Sequence, residues 1–473
     1  MTKKNGGSVI ASGGFGCVFR PALKCKYGKR QTNMISKLMT QKHALDEYNE
    51  ILIIKEKLHK IPNYLDYFLL SYFNICIPDT LTTNDLIQFN KKCSALPKNN
   101  ITPQNINSSL DDLLSLNMPY GGLPVDDYIY ENMTSNKMIQ LNNSLIQLLN
   151  KGIVPMNQQN IYHSDIKDSN ILVDGAHTRL IDWGLSTEYT PIRDVLNQLD
   201  SLPKSWRNKP LQFNLPFSII LFSNVFVEKY SVYLREKKVT ESELRPFVID
   251  YIFLWLKDRG PGHYKYINTI MFMLFSKELG NENEQRKVTM IESEFTLFYI
   301  SNYIVQILIH FNKSADVLEN LQLYLDSVFI KLIDIWGFVI SYVPWIEILF
   351  DNYNTLNEYD LALFNSIKQI FLKYLYNPRT EEISITDLTN DLRKLNNLLS
   401  NVFVIEKPRN NYSLANKINK SSTKTRKNRK KITGNGLLNV IGKYNHHSSQ
   451  KIRNQIKKKN KIRNNYLTFL QIK

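Results

Sequence analysis

His163-Ser164-Asp165-Ile166-Lys167-Asp168-Ser169-Asn170-Ile171-Leu172, followed by Leu180-Ile181-Asp182-Trp183-Gly184, decides how this chain is read. Phosphoryl transfer depends mainly on positioning and charge neutralisation, so it needs one carboxylate to orient the attacking hydroxyl, and an amide plus a second carboxylate to hold Mg²⁺. Asp165, Asn170 and Asp182 supply those three groups in that order. Upstream, residues 141–156 carry Leu145, Ile146, Leu148 and Leu149 and read as a buried helix that delivers the chain to His163. Before it, Leu113 to Pro119 is an apolar strand leading into Tyr120-Gly121-Gly122.

Residues 8–37 read as strand, glycine turn, strand, polar hairpin and the start of a third strand, Met34 to Met39. A helix over 46–58 follows, with Tyr48, Ile51, Leu52, Ile54 and Leu58 at near-helical spacing, and Pro62 stops it. Ile10-Ala11-Ser12-Gly13-Gly14-Phe15-Gly16-Cys17-Val18 resembles the glycine-rich loop of protein kinases, whose backbone N–H groups cover phosphates because no side chains hold them off. Ala11 stands where the first glycine of that pattern would be. Met34-Ile35-Ser36-Lys37 is similar to the strand lysine that grips the phosphates, and its ammonium needs a carboxylate to hold it. Glu50 is the choice for that carboxylate, with Glu47 one helical turn earlier as the alternative. Met118-Pro119-Tyr120-Gly121-Gly122 resembles the hinge whose backbone meets adenine, with Asp126 or Asp127 placed to reach a ribose.

Taken together, these stretches resemble a eukaryotic-type serine/threonine protein kinase. The resemblance implies an α+β, bilobal protein-kinase-like fold with a small β-rich N-lobe and a larger helical C-lobe. It makes Asp165 similar to the catalytic aspartate and Lys167 to the lysine on the transferring phosphate. Asn170 and Asp182 become Mg²⁺ ligands, and Ala11, Gly13, Gly14, Phe15, Gly16, Val18, Lys37, Glu50, Met118 and Tyr120 become the ATP site. The implied domains are an N-lobe over 1–117, interrupted by an Asn-, Ser- and Pro-rich surface insertion at 78–109, and a C-lobe over 118–405.

Several positions depart from that family. Ser164 replaces an arginine that pairs with a phosphorylated activation loop, which implies activity independent of a phosphate on Ser186, Thr187 or Thr190. Trp183 replaces a phenylalanine and keeps a large apolar side chain to pack beneath the helix bearing Glu50. Lys331 to Ile340 resembles the buried helix whose aspartate anchors the catalytic loop, yet Asp334 lies 152 residues beyond Asp182. A helical insertion over about 225–325 accounts for the excess. Within it, Thr240 with Glu243 reads as a capping box before a helix at 247–256, ended by Gly260-Pro261-Gly262. Phe217 stands at the glutamate of the family's APE sequence and Glu381 at the arginine that would pair with it, so both halves of one ion pair are absent.

The 473 residues are 43% hydrophobic, enough to fill real cores. The most apolar run, 335–346, is too short for a membrane span, and the N-terminus has no signal-peptide core. Cys17, Cys25, Cys76 and Cys93 match neither a zinc site nor a dense disulfide framework and predict free thiols in a reducing compartment. The net charge of +17 resides in a tail at 406–473: from Lys407 onward there are 19 Lys and Arg and no Asp or Glu. Such a tail is solvated, and can bind nucleic acid or an acidic partner, direct nuclear import, or only solubilise. The large insertion, the Asn, Ile and Lys usage and this tail look similar to kinases of large cytoplasmic DNA viruses, which implies infected-cell cytoplasm or the virion. The competing reading is a catalytically silent kinase-fold scaffold, and a third is a small-molecule or lipid kinase.

Overall fold

The computed structural model describes residues 7–132, 134–191 and 198–401; the basic tail lies outside them. The protein is mixed α+β, with a small antiparallel sheet near the N-terminus and a larger helical part. Five strands, β1 (Ser8–Ser12), β2 (Gly16–Arg20), β3 (Met34–Thr40), β4 (Asn74–Cys76) and β5 (Leu113–Pro119), form a sheet in the order β1-β2-β3-β5-β4. The central strands β3 and β5 pair along their full length, which sets Lys37 opposite Leu116 and Ile35 opposite Met118.

Helix α1 (Gln41–Leu58) follows β3 without a break and starts five residues earlier than the apolar periodicity indicates. It buries Ala44, Ile51, Ile54 and Leu58, a stripe close to helical period, against β3 and β5.

The segment at 78–109 is not a surface insertion. Leu81, Phe89, Cys93, Ala95, Leu96, Ile101 and Ile106 pack with Val9, Cys17, Phe19, Leu38 and Leu113 in one apolar core. Its apolar residues are few and follow neither period, so the sequence shows only its polar majority; most of the apolar ones nonetheless point inward, Ile87 being exposed. Asp85 is fully buried there and accepts from Arg30 through both oxygens (2.6 and 3.0 Å) and from the Gly7 amide (2.7 Å). Burial alone would raise that carboxyl, but the guanidinium and N–H donors hold it below its ordinary value.

The cysteines are not free thiols either. They pair as Cys17–Cys93 and Cys25–Cys76, both tying the sheet to chain that leads into or through the 78–109 segment. Separations of 76 and 51 residues give no local spacing signal, which is why the pairing escapes sequence inspection.

The helical part is threaded by short strands: β6 (Leu123–Pro124), β7 (Ile161–Tyr162), β8 (Ile171–Asp174), β9 (His177–Leu180) and β10 (Thr187–Glu188), paired β6-β8-β9 and β7-β10. At its centre runs the helix Ile330–Ile340, in which every residue except Lys331 is buried. A helix apolar on all sides must be surrounded, and this one is. The 225–325 stretch is helical as expected, with helices Asn224–Glu236, Glu241–Arg259, Tyr264–Phe275 and Leu297–His310 as its main members. The capping box is not formed. Thr240 does precede a helix, but its hydroxyl bonds Ser242 rather than a backbone amide, and the helix begins at Glu241.

Aromatic rings pack around Phe217. It is buried against Trp336, Tyr303 and Tyr376, with centroids 5.2 to 5.9 Å apart. Tyr303 comes from the helix Leu297–His310, so the 225–325 stretch supplies part of this packing.

Candidate active site

Asp334 organises the loop that carries Asp165. Its buried carboxylate accepts from the His163 amide (2.8 Å), the Ser164 amide (2.8 Å) and Asn157 Nδ2 (2.7 Å). Ser164 sits at φ 61°, a left-handed conformation that costs a non-glycine residue roughly 1–3 kcal/mol unless its surroundings impose it. Two adjacent amides converging on one carboxylate impose it here. Gly337, on the Asp334 helix, faces the loop so closely that a Cβ would lie 2.5 Å from the Ile166 carbonyl oxygen. The expected anchoring role of Asp334 is therefore present despite the long insertion.

Around Asp165 the donors close in. Lys167 Nζ lies 2.7 Å from Oδ2, Asn170 Nδ2 donates to Oδ2 (3.0 Å) and to the Asp165 carbonyl (2.8 Å), and Asn214 Nδ2 donates to Oδ1 (2.8 Å). Asn214, fully buried, was not singled out by sequence; nothing in Pro210 to Phe217 marks it as more than ordinary packing. The bond from the Ile181 amide to the Asn170 carbonyl (3.0 Å) and the contact of His163 Nε2 with the Ile181 carbonyl (2.9 Å) tie this loop to Asp182.

On the other side stands the glycine hairpin. Gly13 N donates to the Gly16 carbonyl (2.9 Å), and a Cβ on Gly13 would sit 3.5 Å from Lys37 Cε, so the turn lies directly over that lysine. Lys37 is held by Glu47, through both carboxylate oxygens at 2.7 and 2.6 Å, and not by Glu50. Because α1 starts directly after β3, its first two turns are the ones that face the strand lysine, and Glu47 is within them. Glu50, one turn further, faces Asp182 instead. Burial first, then the neighbouring carboxylates Glu47, Asp46 and Asp182, raise its carboxyl.

Glu47, Glu50, Met118, Asp182 and Trp183 line one small cleft. Met118 thus faces the cleft with its side chain, and Trp183 packs by its edge on Phe68 at 5.5 Å. Asp182 adopts φ 67°, a second left-handed residue at the site. Two expected members turn elsewhere: Phe15 is 58% exposed and stacks on His43 (4.4 Å), while the Tyr120 ring lies under the Arg20 guanidinium (3.3 Å). Ala11 and Val18 pair across the hairpin, and Gly14 projects into open space. No family model matches the chain, and no curated protein matches it.

Ser164 has its own partner in place of a phosphate. The indole of Trp206, fully buried, donates Nε1–H to Ser164 Oγ (2.9 Å) and meets Tyr162, Tyr189 and Phe329 edge-on at 5.2 to 5.9 Å. Tyr189 in turn donates to Asp326 (2.7 Å).

Beside Lys167 the charge is acidic. Asp168 and Glu347 are each pushed up to about 7, by burial first and then by neighbouring carboxylates, Asp126 for the former and Asp168 for the latter. Tyr266, from the insertion, donates to Glu347 (3.1 Å); Asp351 adds negative charge, and Lys167 partly offsets it. Asp126, one of the two aspartates weighed for a ribose, belongs to this group. The sign follows directly. A carboxyl raised on folding stabilises the native state below its unfolded pKa, and that contribution is lost as pH rises through the folded value. The melting temperature is therefore expected to rise by several degrees from about pH 8 to about pH 5.5, and a double D168N/E347Q variant to flatten that slope. His263, held low by burial and by Lys167, works in the opposite sense, so the scan is best repeated on H263Q.

Proposed function

We propose that the chain is a bilobal, protein-kinase-like serine/threonine kinase that transfers the γ-phosphate of Mg-ATP to protein hydroxyls. The observation that carries this reading is the arrangement of Asp165 between Lys167 and Asn170, with Asp182 in a cleft shared with Met118 and with Glu47, the partner of Lys37. The residues fit Mg²⁺. Asn170 spends its amide nitrogen on Asp165, which leaves Oδ1 for a metal, and Asp182 supplies a carboxylate. Among the described residues no three His, Cys, Asp or Glu side chains form a metal cluster; Mg²⁺ would be held by one or two side chains and completed by substrate phosphates and water. When bound, Mg²⁺ neutralises charge on the phosphates.

In this reading Asp165 accepts the acceptor hydroxyl's proton, Lys167 meets the transferring phosphate, and Lys37, held by Glu47, grips the nucleotide phosphates beneath Gly13. Incubating the protein with Mg-ATP, a basic protein and casein, beside Asp165→Ala, tests it. ATP binding with no transfer to either protein would favour the scaffold or a small-molecule acceptor instead. Asn214→Ala, which leaves Asp165 Oδ1 without its donor, is expected to lower kcat about 10- to 100-fold, the worth of a hydrogen bond to a charged group. Its KM for ATP stays unchanged, and steady-state kinetics at varied ATP reads both.

Trp206 supports activity independent of loop phosphorylation. A phosphate on Ser186, Thr187 or Thr190 finds no arginine at Ser164, and the aromatic cluster already holds that position. Phosphatase treatment is expected to leave activity intact; abolition of activity, with recovery on rephosphorylation, would sink the idea. Protein substrates, and nucleic acid or an acidic partner for the tail, complete the proposed partners. No helix among the described residues is long and apolar enough to cross a membrane. Of the two locations implied by the viral resemblance, the virion suits two disulfides better than the reducing cytosol does.

A further inference from the structure

Residues Cys93, Ser94 and Ala95 grip the glycine hairpin at both ends of its turn. On the β1 side, Ser12 Oγ accepts from the Ser94 amide (3.1 Å) and the Ala95 amide (3.2 Å) and lies 3.2 Å from Ser94 Oγ. On the β2 side, Cys17, which directly follows Gly16 and pairs with Ser12, is bonded covalently to Cys93. Gly13, Gly14, Phe15 and Gly16 are thus the span between two points fixed to one three-residue stretch, Cys93 to Ala95. The other disulfide is remote from this turn: Cys25–Cys76 lies beside Asn117, whose amide nitrogen is 3.4 and 3.3 Å from its sulfurs.

We propose that Cys17–Cys93 is a thiol-sensitive clamp that sets how tightly the glycine hairpin covers phosphates. The inference rests on the reading of that hairpin as the nucleotide cover. With the bond intact, the turn is presented already ordered, and nucleotide binding does not have to order it. With the bond open, the core around Leu81, Phe89, Leu96 and Ile101 keeps the 93–95 segment nearby, but one end of the turn is free. The co-reactant is a dithiol. One of its thiolates attacks one cysteine sulfur, which forms a mixed disulfide and releases the other cysteine; its second thiol then closes the reductant's own ring and releases the first, so two electrons and two protons pass to the protein.

Burial orders the two reductions. Cys17 is fully buried and Cys93 is 5% exposed, whereas Cys25 and Cys76 are only half-buried. The outer bond opens first, and the clamp opens only when the hairpin lifts. By reciprocity, a nucleotide that binds the clamped form more tightly shifts the thiol–disulfide equilibrium of Cys17 and Cys93 toward the disulfide.

The test uses the full chain carrying C25S/C76S, so that Cys17–Cys93 is the only disulfide. Dithiothreitol opens it, mass-tagged maleimide counts the two thiols released, and two readouts follow. Hydrogen exchange at residues 13–16 is expected to quicken on reduction, and the Kd for Mg-ATP to rise about tenfold, the scale expected when binding must order a freed residue. C17S/C93S should match the reduced protein and ignore dithiothreitol. Unchanged exchange at 13–16 with both thiols titrated overturns the clamp, whether or not nucleotide binds. Quickened exchange with no Mg-ATP binding in either state upholds the clamp and overturns the nucleotide reading alone.

Discussion

Asp165→Asn is expected to slow phosphoryl transfer by about 10²- to 10⁴-fold, the usual weight of a positioned general base, while Mg-ATP affinity stays close to that of the wild type. The substitution conserves shape and removes two things. An amide cannot accept the hydroxyl proton, and it presents an N–H₂ group where only donors wait. Lys167 and Asn170 both aim at Oδ2 and Asn214 aims at Oδ1, so either flip of the new amide sets donor against donor. Lys167 also loses the negative charge that orients it. Nucleotide contacts are spared because Lys37, Glu47 and Asp182 are held independently of Asp165. Single-turnover transfer measured beside equilibrium binding separates the two effects; a rate that falls less than about tenfold would remove Asp165 from the role of base.

Asp334→Ala is expected to destabilise the protein by about 3–5 kcal/mol and to abolish transfer together with it. Three N–H groups, two of them backbone amides, end in that buried carboxylate, and the alanine leaves all three without an acceptor in a water-poor core. The left-handed backbone at Ser164 then loses the contacts that impose it, so the loop relaxes and Asp165 moves from its donors. Asp334→Asn is the milder variant: one oxygen survives, the other becomes a donor facing a donor, and the cost falls to about 1–3 kcal/mol. Urea unfolding of the three proteins should place them in that order. Equal midpoints for the wild type and Asp334→Ala would show that the loop is held by something else.

The sequence was most legible where chemistry requires particular groups at fixed spacing. Asp165, Lys167, Asn170 and Asp182 sit on a short loop and an adjoining strand end, so their separation along the chain already constrains them in space. Strands β1 to β3 and β5 were equally plain, since Gly13 to Gly16 and Tyr120 to Gly122 punctuate apolar runs. Asp334 was legible as an anchor, in spite of its distance in sequence, only through the resemblance of Lys331 to Ile340 to a buried anchoring helix; its partners, the His163 and Ser164 amides and Asn157, needed the structure. What escaped depended on long-range geometry. Whether Lys37 meets Glu47 or Glu50 turns on where α1 begins relative to β3, and helix starts are the vaguest part of a periodic pattern. The core role of 78–109 and the two disulfides depend on a path that no local pattern encodes. Asn214 and Trp206 act through single hydrogen bonds to residues 49 and 42 positions away, and a buried asparagine or tryptophan reads as ordinary packing until its partner is known.

The ring cluster of Phe217, Tyr303, Trp336 and Tyr376 has a consequence for how this chain can change over generations. One of the four rings belongs to the helices of the 225–325 stretch, and Tyr251 and Trp255 of the same stretch hydrogen-bond the carbonyls of Ile220 and Lys209, on the segment that carries Asn214. Those helices are therefore not an appendage that heredity could trim away. Excising them would open a void beside Trp336 and free the chain that reaches Asp165, so the helices and the site are bound to vary together.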